Sequence, residues 1–141
     1  MRRLLWLLAV PMLALCLAAP QARADDAVTQ LVKIDRSLGT GAEARGGSVV
    51  QVQYVGWIYD DKAPDHHGAK VDSSYDRNQP ISFTLGDSAM IAGWNQGIDG
   101  MRVGGKRTLL IPPRLAYHGR RVGAVPPHAT LVFDIELLGV H

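Results

Sequence analysis

From Leu131 to Leu137 the chain alternates: Leu131, Phe133, Ile135 and Leu137 fall on one side of an extended backbone, and Thr130, Asp134 and Glu136 on the other. A period of two over this length specifies a β-strand with one buried face, and a buried face requires neighbouring strands and a covering element. The same period recurs where Val50, Val52 and Tyr54 alternate with Gln51, Gln53 and Val55, and more weakly where Leu109 and Ile111 oppose Thr108 and Leu110. A first strand is expected over 28–36, and shorter extended pieces over 70–75 and 81–85. The glycine-rich GTGAEARGG at 39–47 reads as a turn and loop, and the polar DDKAPDHHGA at 60–69 as an exposed loop.

One stretch, 93–101, invites a helix, and it carries Gly93, Gly97 and Gly100. Each glycine costs about 1 kcal/mol relative to alanine inside a helix, so packing must hold this one. Trp94, Ile98 and Met101, spaced i, i+4, i+7, supply the stripe that buries it. The expected fold is therefore α+β, an antiparallel β-sheet of about five strands wrapped around one short α-helix.

The N-terminus does not belong to that fold. Arg2 and Arg3 lead into the apolar run LLWLLAVPMLALCLAA, which ends near Ala22, Arg23 and Ala24. This is the pattern of a secretory signal peptide cleaved after Ala24. The run is broken by Pro11 and falls short of the roughly 20 apolar residues that cross a bilayer, so a retained anchor is the lesser reading. A lipid anchor at Cys16 is disfavoured by Leu15, which stands where a small residue is expected. Residues 1–24 are assigned as signal peptide and 25–141 as one domain.

Loss of Arg2, Arg3 and Arg23 lowers the basic count from 15 to 12, against 13 acidic residues. The net charge then falls from +2 to −1, which removes the main support for nucleic-acid binding. The single cysteine, Cys16, leaves with the leader, so the domain needs no disulfide.

Two motifs come close without fitting. Gly100, Gly105 and Lys106 have the spacing of a phosphate-binding loop, but Arg107 occupies the Ser/Thr position and a strand follows where a helix should open. His66 and His67 lie beside Asp65, yet adjacent residues of an extended loop point in opposite directions and form no chelating pair. No cysteine nucleophile or GxSxG elbow is present in 25–141, and no cofactor or metal is expected. What remains is aromatic and aliphatic: Trp94, Tyr54, Tyr117 and Phe133 suit a core as well as a pocket, because both draw on the same residue types.

Seven separated segments discriminate further: VQYVG at Tyr54, VDSS at Asp72, YDRNQP at Arg77, then IAGW, GM-VG, IPP-LAY and PPHATLVFDIELL. In order and spacing they resemble the FKBP family of peptidyl-prolyl cis/trans isomerases, over about residues 31–139. The resemblance implies a pocket floored by Trp94 and walled by Tyr54, Ile81, Met90, Ile91, Tyr117, Val125 and Phe133. It places Asp72 at the rim, held by Arg77 and the Tyr54 hydroxyl, and assigns the Ile91 N–H and the Tyr117 hydroxyl as donors to substrate carbonyls. Asp72 reads either as an orienting residue or as half of a structural ion pair with Arg77. Val71 and Ile81 depart from the family, where aromatic residues are common, and the 60–70 loop is longer than usual. The implied activity is cofactor-free isomerisation of X-Pro bonds by a monomer in the bacterial periplasm or outside the cell. Its partners would be proline-containing polypeptides and macrolide ligands, without nucleic acid or a stable membrane anchor. The alternative is a weakly catalytic or non-catalytic periplasmic chaperone that binds proline-containing segments.

Overall fold

The computed structural model describes residues 28–141, so the expected signal peptide lies outside the described residues. Among the described residues the elements run β1 (Val32–Ser37), β2 (Val49–Tyr59), β3 (His67–Ser73), β4 (Ile81–Thr84), α1 (Ala92–Ile98), β5 (Lys106–Ile111) and β6 (Leu131–Val140). All strand pairs are antiparallel, in the order β1-β5-β6-β2-β3, and β4 adds a sixth, short strand against β2. No helix among the described residues is long and apolar enough to cross a membrane.

The alternation at 131–137 sets the geometry. Leu131, Phe133, Ile135 and Leu137 are buried and pair with Ile58, Gly56, Tyr54 and Val52 of β2. Paired residues of antiparallel strands share a face, so this row forms the concave side of the sheet. Helix α1 lies against it. Trp94 and Ile98 are buried on the helix, and a Cβ added at Gly93 or Gly97 would collide with Ile111 or Leu109 of β5. The glycines that weaken the helix as an isolated segment are what bring it against the sheet.

The helix ends earlier than the glycine pattern suggested, at Ile98 instead of 101, because Gly100 turns the chain with φ of 86°. Met101 remains buried in the turn that follows. Arg107, mostly buried on β5, closes that end by donating from Nη1 to the carbonyls of Gly97 (2.8 Å) and Asp99 (3.1 Å), while its Nε donates to Asp35 of β1 at 2.7 Å. The residue that disqualified the phosphate-loop motif thus acts as a C-cap.

Two boundaries differ from expectation. The first strand occupies Val32–Ser37, displaced toward the C-terminus of the expected 28–36. The 60–69 segment is only partly a loop: it holds a 3-10 turn, Pro64–His66, and β3 already starts at His67. Ring stacking explains the early start, because His67 lies on Trp57 at 3.7 Å and His66 on Tyr59 at 4.8 Å.

Candidate active site

Along one edge β2 changes partner: Val49 to Val52 pair with β4, and Val55 to Tyr59 with β3. At the change, the Tyr54 N–H donates to the buried Ser74 hydroxyl at 2.8 Å, and the Ser74 N–H donates to the Tyr54 carbonyl at 3.0 Å. The chain between the two partner strands leaves the sheet here, and it carries Arg77. Asp72 at the end of β3, Arg77 and the Tyr54 hydroxyl therefore converge.

The Asp72 carboxylate accepts from the Tyr54 hydroxyl on Oδ2, and on Oδ1 from the Arg77 guanidinium and from the Ser73 N–H at 2.8 Å. Arg77 also donates to the Tyr54 oxygen at 2.9 Å, so the three groups close a ring. Partial burial works against the Asp72 charge, yet the hydrogen bonds from Tyr54, Arg77 and Ser73 outweigh it and hold the carboxyl below the usual carboxylate range. Burial and the bond to Asp72 push the Tyr54 hydroxyl up. Asp72 is thus a fixed anion, ill suited to exchanging protons near neutrality.

Beside this ring, between β3, the 86–91 segment, α1 and the 117–125 segment, lies a cleft of about 290 Å³. All of the expected site residues except Arg77 line it: Tyr54, Val71, Asp72, Ile81, Met90, Ile91, Trp94, Tyr117, Val125 and Phe133. Arg77 acts at one remove, through Asp72 and Tyr54. Trp94, 2% exposed, forms the floor, with Tyr54 and Phe133 edge-on to its ring at 4.8 and 5.2 Å and Phe83 tilted at 5.8 Å. Phe133 lies across β2 because residue 56 is glycine; a Cβ there would strike its ring.

Two residues that line the cleft carry free donors for it, Ile91 and Tyr117. Ile91 precedes α1 as its N-cap residue, and its N–H has no acceptor among the described residues. Tyr117 is half-buried in the cleft lining, its hydroxyl pushed up by burial and by the Asp72 charge, so it stays protonated and able to donate. Asn95 on α1 fixes the wall that carries Met90 and Ile91: its Oδ1 accepts from the Gly86 N–H at 2.8 Å and its Nδ2 donates to the Asp87 carbonyl at 2.9 Å.

Sequence reasoning missed four of the lining residues. Ala89, Val122, Gly123 and Ala124 also line the cleft. Residues 122–125 form a tight turn in which Val122 and Val125 exchange backbone hydrogen bonds of 3.1 and 2.8 Å, with Gly123 at φ of 54°. The VGAV sequence carried that turn signal, but nothing in it says that the turn overhangs a cleft.

An antiparallel sheet wrapped on one helix carries an aromatic-floored cleft with a few fixed polar groups at its rim. The sequence comparisons make the class specific. Residues 41–138 match the profile of the FKBP-type peptidyl-prolyl cis-trans isomerases. A Neisseria meningitidis serogroup A FK506-binding protein is 46% identical over 112 residues, covering 79% of this chain and 96% of that protein. FK506-binding protein 2 of Candida glabrata is 41% identical over 89% of this chain and 88% of its own length. Among solved structures, AtFKBP13 is 38% identical with a TM-score of 0.69, over 82% of this chain and 96% of its own. FkpA from Escherichia coli is 40% identical with a TM-score of 0.68, over 79% of this chain, which spans about half (48%) of the FkpA chain. The chain belongs to the FKBP-type peptidyl-prolyl cis-trans isomerases, and its activity is that of the family.

Proposed function

We propose that the Trp94 cleft is where this isomerase turns X-Pro bonds, and that it serves polypeptides folding in the periplasm or outside the cell. The observation that carries the site assignment is convergence: residues from β2, β3, β4, β6, α1 and two connecting segments, spread from Tyr54 to Phe133, line one apolar hollow.

An X-Pro amide is planar through conjugation, and the barrier to rotation is about 18–20 kcal/mol. In the twisted transition state that conjugation is lost, and with it part of the charge separation of the planar form. An apolar enclosure therefore disfavours the planar ground state more than the twisted one, and each 1.36 kcal/mol of difference gives about tenfold in rate. The Trp94 ring and its neighbours supply the dry surface for the prolyl ring. The Ile91 N–H and the Tyr117 hydroxyl hold carbonyls of the flanking backbone, so that one side of the bond turns against a fixed other side. Asp72 orients, as an anion locked by Tyr54, Arg77 and Ser73. No proton moves and no covalent bond forms or breaks.

The extracytoplasmic setting is supported by the signal-peptide pattern of residues 1–24 and by a domain without cysteine, which folds alike in oxidising and reducing surroundings. There, slow proline isomerisation limits the folding of other chains. The protein acts as a monomer, and macrolides that fill the same cleft compete with substrate.

Isomerisation of a proline tetrapeptide by Asp72→Ala and Tyr117→Phe tests the roles. Each folded variant should lose about tenfold or more in kcat/KM, corresponding to one lost or misdirected hydrogen bond in the transition state. Unchanged rates in both would refute the assignment, and binding of an unfolded protein without any isomerisation would favour a holding function.

A further inference from the structure

The longer 60–69 segment has no part in the cleft as described, and beside it lies a second depression of about 530 Å³. Its lining includes Ile58, Asp60, Asp61, Ala69, Pro126 and Pro127. We propose that this groove continues the substrate cleft and receives the client polypeptide itself, reading a lysine or arginine about four residues away from the proline. The proposal deepens the function assigned above and rests on it.

Continuity carries the inference. Three elements that border the cleft run on into the groove: β2 contributes Tyr54 to one and Ile58 to the other, β3 contributes Val71 and then Ala69, and the last long connection contributes Val125 and then Pro126. Tyr54, Gly56 and Ile58 pair without a register shift with Ile135, Phe133 and Leu131, so all three share the concave face. Four residues of strand span about 13 Å, the reach of about four residues of extended client. A polypeptide anchored by its prolyl ring over Trp94 thus meets the groove as its next surface.

Charge defines what the groove prefers. Its lining holds Asp60 and Asp61, and its one basic side chain is His128, with neither lysine nor arginine. Lys70, which follows Ala69, is turned to Asp76 at 2.7 Å. Asp60 is held at the groove edge by a built turn, and Asp61 follows it in the chain. The Asp60 N–H donates to the His66 carbonyl at 3.0 Å, Asp60 Oδ1 accepts from the Lys62 N–H at 3.0 Å, and the stacking of His66 on Tyr59 fixes the far side of the turn. Apolar side chains below and carboxylates at the rim suit the long methylene stem and cationic head of lysine or arginine.

The test uses the full domain with a proline tetrapeptide and with longer peptides that carry Lys, Ala or Glu four residues from the proline on either side, or eight residues away. On one side of the proline, the Lys peptide at position four should exceed its Glu counterpart about threefold in kcat/KM, the scale of partly exposed ion pairs, and the gain should shrink with added salt. At eight residues the ratio should be near one. In the Asp60→Asn/Asp61→Asn double variant, which keeps a side-chain carbonyl for the Lys62 N–H, the ratio at position four should also fall to one. A ratio near one in the unaltered protein, an equal preference at four and eight residues, or a preference that survives the double variant overturns the groove. Failure to accelerate even the tetrapeptide overturns the assigned site, and this inference with it.

Discussion

Helix α1 has two buried sides, and they are built in opposite ways. On the β5 side the contact is so close that Gly93 and Gly97 leave no room for a methyl group against Ile111 and Leu109. On the cleft side Trp94 is nearly as buried, at 2% exposure, yet the space beyond it is left as a hollow of about 290 Å³. Protein interiors are normally packed to crystal density, so an apolar hollow is held open by something other than side-chain size. Here it is held open by polar staples at the rim: the Tyr54–Asp72–Arg77 ring on one wall and the Asn95 bonds to Gly86 and Asp87 on another. The packed side bears on stability, and the stapled side borders the proposed site.

That division is broken most severely by Gly97→Ala. Alanine favours a helix over glycine by about 1 kcal/mol, but here its methyl must displace Leu109, and overpacking costs about 1–3 kcal/mol. The substitution should destabilise the domain by up to about 2 kcal/mol net in urea unfolding, with kcat/KM of the folded fraction little changed. A stabilised variant would show that the helix is not seated as described.

Asp72→Asn sharpens the comparison from the stapled side through pH. The folded-state pKa of Asp72 lies below its ordinary 3.8, so its contribution to stability is present above about pH 4 and is lost as pH falls through the folded value. Because the side chain is 43% exposed, solvent screening limits the effect to under about 1 kcal/mol. Unfolding measured from pH 7 to 2 should show the parent protein more stable than the variant near neutrality and the gap closing below pH 4. A gap that widens in acid would contradict the fixed-anion reading.

Val71→Phe should be felt least by the fold. Val71 lines the cleft and is only partly buried, so stability should stay within about 0.5 kcal/mol. About 30 Å² of additional apolar contact with the prolyl ring, at about 25 cal/mol per Å², should raise kcat/KM about threefold. No gain in rate would place the prolyl ring away from that wall.

The same contrast explains what was legible in the sequence. The alternation at 131–137 and at 50–54 located β6 and β2 because burying one face of a strand leaves a period of two. Segment 60–69 read as loop because its residues are polar, whereas the start of β3 at His67 depends on a ring stacked from β2, a contact between residues ten apart with no local signature. In the site, Trp94, Tyr54 and Phe133 were visible as apolar residues and nothing more; their assignment to a pocket came from resemblance to a family. Ala89 and residues 122–124 were missed because small residues carry no mark of what they overhang. Ser74 and Asn95 were missed because a polar staple differs from an ordinary turn residue only by what it meets in space.

The most direct test of the account is the cis-to-trans relaxation of a proline tetrapeptide followed against protein concentration, with the unaltered protein and with a folded Asp72→Ala/Tyr117→Phe variant. The relaxation rate should rise linearly with concentration of the unaltered protein, with a slope about tenfold or more above that of the variant. Equal slopes, or a rate that stays at its uncatalysed value for both, would contradict the claim that the hollow above Trp94 turns proline bonds.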